Sequence, residues 1–352
     1  MDALLWKALP GNQAQCFACM HACLLPAGAC GQCGVRRNDA GALRTLVGDG
    51  IASAHADPIE KKPLYHYLPG SGTFSFGTEG CNFSCSFCQN AEISQHPRQT
   101  ASVRRRRTTP EDLIRTAQSE RCASVAFTYN EPTVFAELMI RTADLALDAG
   151  LGTVMVSNGF QSPQTLRLLR PRIQAANIDL KSKRREFYRD VCGGDLTPVL
   201  DNLRRMREFG WWLEITSLLI PGLNDSPEEL HDLADFIFKE LGPETPWHVS
   251  AFHPAFRMPR HAPTPPATLD LACRIGQEAG LLFVYPGNAP QGLLAASRST
   301  RCPACCGLCL ERNPLPLPGF NGRCPSCGHA LPGIWAAPEP KPREKPEGNG
   351  HA

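Results

Sequence analysis

A chain of 352 residues with 42% apolar content is long enough for one large α/β domain with small appendages. Its formal net charge of +2 argues against nucleic acid or an anionic membrane surface as the main partner. No apolar run approaches the length needed to span a bilayer. Seventeen cysteines accompany a start, Met1-Asp2-Ala3-Leu4-Leu5-Trp6-Lys7, that lacks the pattern of a secretory signal. Metal ligation in a reducing, cytoplasmic compartment is therefore expected in preference to disulfides.

In chain order, residues 1–70 read as a cysteine-rich segment. It carries Cys16-x2-Cys19-x3-Cys23 and Cys30-x2-Cys33, with Gly28, Gly31 and Gly34 supplying turns. The stretch from His55 to Gly70 reads as loop. From 73 to 287, apolar strand-like runs alternate with amphipathic helices. The expected strands are Thr73–Thr78, Ser124–Thr128, Thr153–Ser157, Ala176–Leu180, Trp212–Leu218, His248–Phe252 and Leu282–Tyr285. The helix after Thr109 has an N-cap and a proline at its first position. Another opens on a capping box, Ser226 with Glu229. Such alternation predicts parallel strands with crossover helices, a partial (β/α)6 TIM-like barrel over residues 71–290. The basic run Arg104–Arg107 reads as a loop ahead of a helix.

After residue 298 come Cys302-x2-Cys305 and Cys324-x2-Cys327, separated by 18 residues as in a zinc ribbon, which places a ribbon-like segment at 298–335. The proline-rich, charged stretch 336–352 cannot bury a core and is expected to be disordered.

The informative stretch is Gly80-Cys81-Asn82-Phe83-Ser84-Cys85-Ser86-Phe87-Cys88, directly after the first expected barrel strand. Cysteine thiolates ligate iron–sulfur clusters, and a cubane normally takes four. Three leave one iron open to a bound molecule, as catalytic zinc sites leave one position free. A zinc knuckle, or three buried thiols acting as small hydrophobes, would also account for three cysteines in isolation.

A loop after the first strand lies at the C-terminal rim, where barrel enzymes hold their sites. Other strand ends bring polar groups to that rim: Asn130 and Glu131, Asn158, Asp179 with Lys181, and His253. Taken one at a time they have plainer readings. Glu131 could be a helix-start carboxylate, Asp179 and Lys181 an ion pair on one strand face, and His253 a structural histidine.

The spacing of Cys81, Cys85 and Cys88 resembles the signature of the radical S-adenosylmethionine (SAM) superfamily. Tyr129-Asn130-Glu131-Pro132 resembles the segment with which that superfamily binds the SAM amino group. Asp179-Leu180-Lys181 and His253 resemble positions near the SAM carboxylate and ribose in pyruvate formate-lyase activating enzymes. From about residue 14 to 335 the chain is similar to the radical SAM member of the AmmeMemoRadiSam system. The resemblance rests on Cys16-x2-Cys19-x-His21-x-Cys23, Gly31-x-Cys33-Gly34-Val35-Arg36, Lys62-Pro63-Leu64-Tyr65-His66, Pro221-Gly222-Leu223-Asn224-Asp225, Trp247 to Pro254, and Tyr285-Pro286-Gly287-Asn288.

The resemblance implies a [4Fe–4S] cluster on Cys81, Cys85 and Cys88, SAM as cofactor, and a reductant such as flavodoxin or ferredoxin. AMMECR-type and Memo-type proteins would be its partners. It also picks out Cys16, Cys19, Cys23 and Cys33, leaving Cys30 extra, as a quartet for structural zinc or a second cluster. Two departures stand out. The activases carry Asp-Thr where this chain has Val156-Ser157, which puts their cation site and their glycyl-radical substrate in question. Cys306 replaces a glycine of the terminal knuckle. A non-catalytic electron carrier or zinc-ribbon adaptor would explain the cysteine pairs and leave the polar strand ends unexplained. Cys122, Cys192 and Cys273 are expected to be packing residues, with Cys192 near the site.

Overall fold

Seven parallel strands, each beside its predecessor in the chain, form the body of the molecule. The computed structural model describes residues 1–100, 103, 106–288, 298–312 and 319–337. Arg104, Arg105 and residues 338–352 of the tail expected to be disordered lie outside the described residues. In the main sheet, β1 (Ser53–Pro58) runs antiparallel to β2 (Gly72–Gly77). Then β3 (Ser124–Phe127), β4 (Gly152–Ser157), β5 (Ala175–Asp179), β6 (Trp212–Leu219), β7 (Trp247–Ala251) and β8 (Val284–Gly287) follow in parallel register.

The crossovers carry α1 (Pro110–Ser119), α2 (Ala136–Asp148), α3 (Pro163–Leu169), α4 (Leu196–Glu208), α5 (Pro227–Phe236) and α6 (Pro266–Glu278). The sheet stays open between β1 and β8, a partial barrel. All seven expected strands are present, the last shifted to Val284–Gly287, and antiparallel β1 extends the sheet beyond them. Part of β1 falls in the stretch read as loop. Ala54-His55-Ala56-Asp57 lacks the branched apolar residues that favour strands, and its extended form comes from pairing with β2.

Strand parity separates the two faces, because alternate residues of a strand point to opposite sides. Phe74, Phe76, Val125, Phe127, Met155, Ile178, Ile215, Trp247 and Val249 join the large core beneath the helices. The opposite face of the same strands carries mostly small or polar residues, Ser75, Ala126, Asn177, Glu214, Thr216, His248 and Ser250, with Val156 as an apolar exception. The barrel interior is therefore built to be partly open and polar.

Its floor is the segment from Ile59 to Leu68. Ile59, Leu64 and Tyr67 pack against Ala126, Val154 and Ala175 near the strand starts. Buried Glu214 accepts from the backbone N–H groups of Tyr65 and His66 at 2.7–2.9 Å, and Asn177 Nδ2 donates to Pro63 O at 2.7 Å. The C-terminal segment locks this floor from outside. Arg312 donates to Tyr65 O and lies 4.2 Å over its ring, while Ile334 exchanges backbone bonds with His66 and Leu68.

The N-terminal head is a three-stranded antiparallel sheet followed by a hairpin, Arg36–Asp39 with Ala42–Thr45. A buried pair, Arg36 with Glu137 at 2.7 Å, ties it to α2. Arg106–Arg107, expected in a loop, pair antiparallel with Gly50–Ile51. The Ser226 box forms only in half. Ser226 Oγ accepts from Glu229 N, but the Glu229 carboxylate turns to Ser182 Oγ and Lys183 N instead of the cap backbone.

Candidate active site

The loop after β2 is held on every side. A Cβ on Gly80 would lie 2.6 Å from Val35 Cγ1 and 2.7 Å from Cys33 O, and its φ of +90° suits glycine alone. Asn130 Nδ2 donates to Gly80 O at 2.7 Å, and the Asn130 amide oxygen accepts from Thr78 N. Arg98 donates to the carbonyls of Cys81 and Phe83. Ser84 N and Ser86 N donate to Cys192 O and Val191 O at 2.8 and 2.9 Å. Phe83 is fully buried between Phe160 and Tyr188.

The loop presents Cys81, Cys85 and Cys88 to a cavity of about 650 Å³ running down to Tyr65 on the floor. Burial, together with the Glu131 charge, pushes the Cys81 thiol well above its ordinary value, and burial raises Cys88 as well. Cys85 moves the other way, held down by a hydrogen bond from Cys192 and by the Lys181 charge. The expectation that Cys192 approaches the site is met: it is fully buried beside Cys85.

Glu131 lies on the wall of the same cavity, at the end of the neighbouring strand. It caps the short turn Pro132–Phe135 by accepting from Thr133 N, so the helix-start reading and the cavity position both hold. Its carboxylate also accepts from Thr133 Oγ1, Ser157 Oγ, Asn158 N and Gln161 Nε2. Burial raises its pKa against these donors. Asn158 joins it to the cysteine loop by donating to Asn82 Oδ1 at 2.7 Å.

Asp179 and Lys181 form an ion pair of 2.7 Å, also on the cavity wall. Burial alone would lower the Lys181 ammonium, but Asp179, Cys85 and Cys192 outweigh it and hold it well above its ordinary value. The Lys181 Nζ also sits 5.6 Å from the Phe87 ring centroid.

Asn130, Glu131, Asn158, Asp179 and Lys181 thus share one cavity with the three cysteines. His253 does not line it. The imidazole is exposed and bonded to Asn288 O, and Asn288 takes the wall position instead. The lining groups that sequence reasoning missed include Tyr65, His248 and Lys62. His248 pairs with Glu214 at 2.6 Å, Tyr65 packs edge-on to His248 at 4.7 Å, and Lys62 pairs with Asp57 at 2.9 Å. The signal for His248 was parity, since His248 and Ser250 sit two apart on one strand face.

At the far end of the chain, Cys302, Cys305, Cys324 and Cys327 bring all four sulfurs within 4.8 Å of one another, with two pairs at 3.6 Å. Four thiolates around zinc, at bonds of about 2.3 Å, stand about 4 Å apart, so the quartet suits one tetrahedral ion. Cys306 adopts the left-handed φ of +59° that favours glycine, and the quartet closes nonetheless.

An open α/β barrel with a three-cysteine loop at its rim and a polar cavity below has the layout of a barrel enzyme's site. A model of the radical SAM superfamily matches residues 76–237. The uncharacterized protein MJ0808 of Methanocaldococcus jannaschii is 36% identical over 335 residues, 94% of this chain and 98% of that protein. A GTP 3',8-cyclase of Stenotrophomonas maltophilia is 27% identical over 168 residues, and the match spans about half of each chain, 46% and 49%. Among solved structures, a radical SAM methyltransferase from Sphaerobacter thermophilus superposes with a TM-score of 0.51 at 16% identity, covering 73% of this chain and 75% of that one. The chain belongs to the radical SAM superfamily, whose members are enzymes. No helix among the described residues is long and apolar enough to cross a membrane.

Proposed function

We propose that this protein is the radical SAM enzyme of an AmmeMemoRadiSam-type system and works in the cytoplasm. The reading rests on one observation: Cys81, Cys85 and Cys88 face the same cavity as Glu131 and the Asp179–Lys181 pair. The donor set fits the group it would hold. Three soft thiolates suit iron, and a buried carboxylate and an ammonium–carboxylate pair suit a zwitterionic amino acid.

When bound, a [4Fe–4S] cluster on these cysteines supplies the electron that cleaves SAM to methionine and a 5′-deoxyadenosyl radical, which takes hydrogen from a peptide, protein or small-molecule substrate. Glu131 holds the amino group of SAM. Asp179 and Lys181 orient its carboxylate and ribose, with Asn130 and Asn158 fixing the backbone around them. His253, exposed beside Asn288, acts at the rim through that neighbour. Tyr65 and His248 line the inner end of the cavity, away from the rim, where a reactive radical is better shielded from water. A flavodoxin- or ferredoxin-type donor supplies the electron, and AMMECR-type and Memo-type proteins are the candidate partners.

A glycyl-radical activase is the nearest competitor. It is disfavoured because Val156 puts an apolar wall where the activases carry a carboxylate, and Ser157 serves Glu131. An electron carrier needs no cavity of this size or polarity. The test is anaerobic: reconstituted protein is given dithionite and SAM, and 5′-deoxyadenosine is measured. Product that vanishes in the Cys81, Cys85 and Cys88 alanine variants supports the reading, and a reducible cluster without cleavage overturns it.

A further inference from the structure

Behind the cysteine loop lies a second set of sulfurs that the proposed chemistry does not use. Cys16, Cys19, Cys23 and Cys33 line one small cavity in the head, together with Arg36, Thr133 and Val134. Cys16 and Cys33 are buried, and burial pushes the Cys33 thiol up to about 11. Cys30, the extra cysteine of this segment, is exposed and takes no part in the cavity.

Packing alone does not explain the arrangement, although Cys16 and Cys33 belong to apolar clusters of the head and the barrel. Close-packed thiols acting only as small hydrophobes would leave no void, because an empty space forfeits dispersion contacts. Here the four cysteines, with Arg36, Thr133 and Val134, line one.

Nor is the shape that of a zinc site. Among the described residues, the quartet at 302–327 is the group of three or more His, Cys, Asp or Glu ligand atoms that all fall within 4.8 Å of one another. The head quartet stands wider. Four thiolates bonded to zinc at about 2.3 Å would also leave no room between them for a water-sized sphere. A four-iron cubane differs on both counts: it spreads its cysteines by inserting metal–metal edges, and it fills the space between them. Cys81, Cys85 and Cys88 share the wider spacing, for they too face one cavity without closing to 4.8 Å.

The head cavity also adjoins the cysteine loop. Cys33 O is the atom that leaves no space for a Cβ on Gly80, one residue before Cys81. Arg98 bridges the carbonyls of Gln32 and Cys81, and His21 Nε2 donates to Asn82 O at 2.9 Å. The two sets of sulfurs thus sit on backbone segments that touch each other.

We propose that Cys16, Cys19, Cys23 and Cys33 bind a second four-iron cluster, separate from the one on Cys81, Cys85 and Cys88. Its binding does not depend on the radical SAM reading, and the test keeps the two apart. Full-length protein is reconstituted anaerobically with iron and sulfide, then assayed for iron, sulfide and zinc, and its dithionite-reduced EPR spectrum is recorded with and without SAM. Wild type should hold about eight irons and eight sulfides. The Cys81→Ala/Cys85→Ala/Cys88→Ala variant should keep about four irons and a reduced signal that SAM does not alter.

The Cys16→Ser/Cys33→Ser variant should keep about four irons and a signal that SAM does alter, while Cys30→Ser matches wild type. A triple variant devoid of iron overturns the proposal, as does a wild type with about four irons and two zincs. Should the head variant fail to fold, the triple variant still decides the matter. An SAM-insensitive spectrum in wild type would count against the radical SAM reading alone.

Discussion

Ser157 Oγ donates to both oxygens of Glu131, at 2.9 and 3.1 Å. The residue that departs from the activase pattern is thus the one that fixes the carboxylate proposed for SAM. Replacing it with alanine leaves Thr133, Asn158 and Gln161 on Glu131 but removes one donor from a buried acid. We expect Ser157→Ala to weaken SAM binding by roughly threefold to tenfold with iron content unchanged. Calorimetric titration with SAM checks this, and an unchanged affinity would remove Ser157 from the site.

Lys181 is held by Asp179 on one side and lies over Phe87 of the cysteine loop on the other. In Lys181→Met, Asp179 keeps its charge without its partner. Deoxyadenosine formation should fall by about tenfold, because a half-buried Asp179 is left on the cavity wall as an uncompensated charge. Lys181→Arg should recover part of the loss. Iron content, carried by sulfur, should stay constant in both.

The terminal quartet should carry about one zinc per chain, measured by mass spectrometry on protein purified without chelator. Cys324→Ser should lose that zinc and lower Tm by roughly 5 °C or more, since a structural ion's binding energy is folding energy. A variant that lost zinc at constant Tm would make the ion incidental.

His66 is fully buried, with Nδ1 donating to Pro332 O at 2.8 Å and Nε2 accepting from Tyr285 at 2.7 Å. Burial lowers its pKa from 6.5 to about 4. A lowered folded-state value means the unfolded chain binds the proton first. The stabilisation is therefore complete above pH 6.5 and drains away as pH falls towards 4. The full span is worth about 3 kcal/mol. Denaturant midpoints between pH 7 and pH 4 should fall less steeply in His66→Gln than in wild type. Equal slopes would assign the acid loss to other groups.

Much of this architecture was legible because strand parity and helix caps are local signals. Phe74 and Phe76, or Val125 and Phe127, announce a buried face without any knowledge of partners. The three-cysteine loop was legible for the same reason, as spacing alone brings three thiols together. What escaped depended on partners distant in the chain. Ser53–Pro58 becomes a strand only beside β2, and Glu229 leaves its cap for Ser182, 47 residues away. Glu214 and His248 look like stray polar residues within apolar strands until the floor segment brings them its N–H groups. The outward turn of His253 was not legible, because a strand end fixes the rim but not the direction of a side chain in the loop beyond it.

The lock on the floor has a consequence for how the protein is made. Tyr67 pairs with Ile334, and Tyr65 with Arg312, so the floor's outer partners leave the ribosome long after the strands they seal. Until then the carbonyls of Tyr65 and His66 lack these outer partners, and the floor is held from within alone, by Glu214, Asn177 and its apolar contacts. The barrel therefore passes through a stage in which its base is closed but not yet clamped. The order of synthesis makes the clamp a late event, added to a barrel whose strands are already in place.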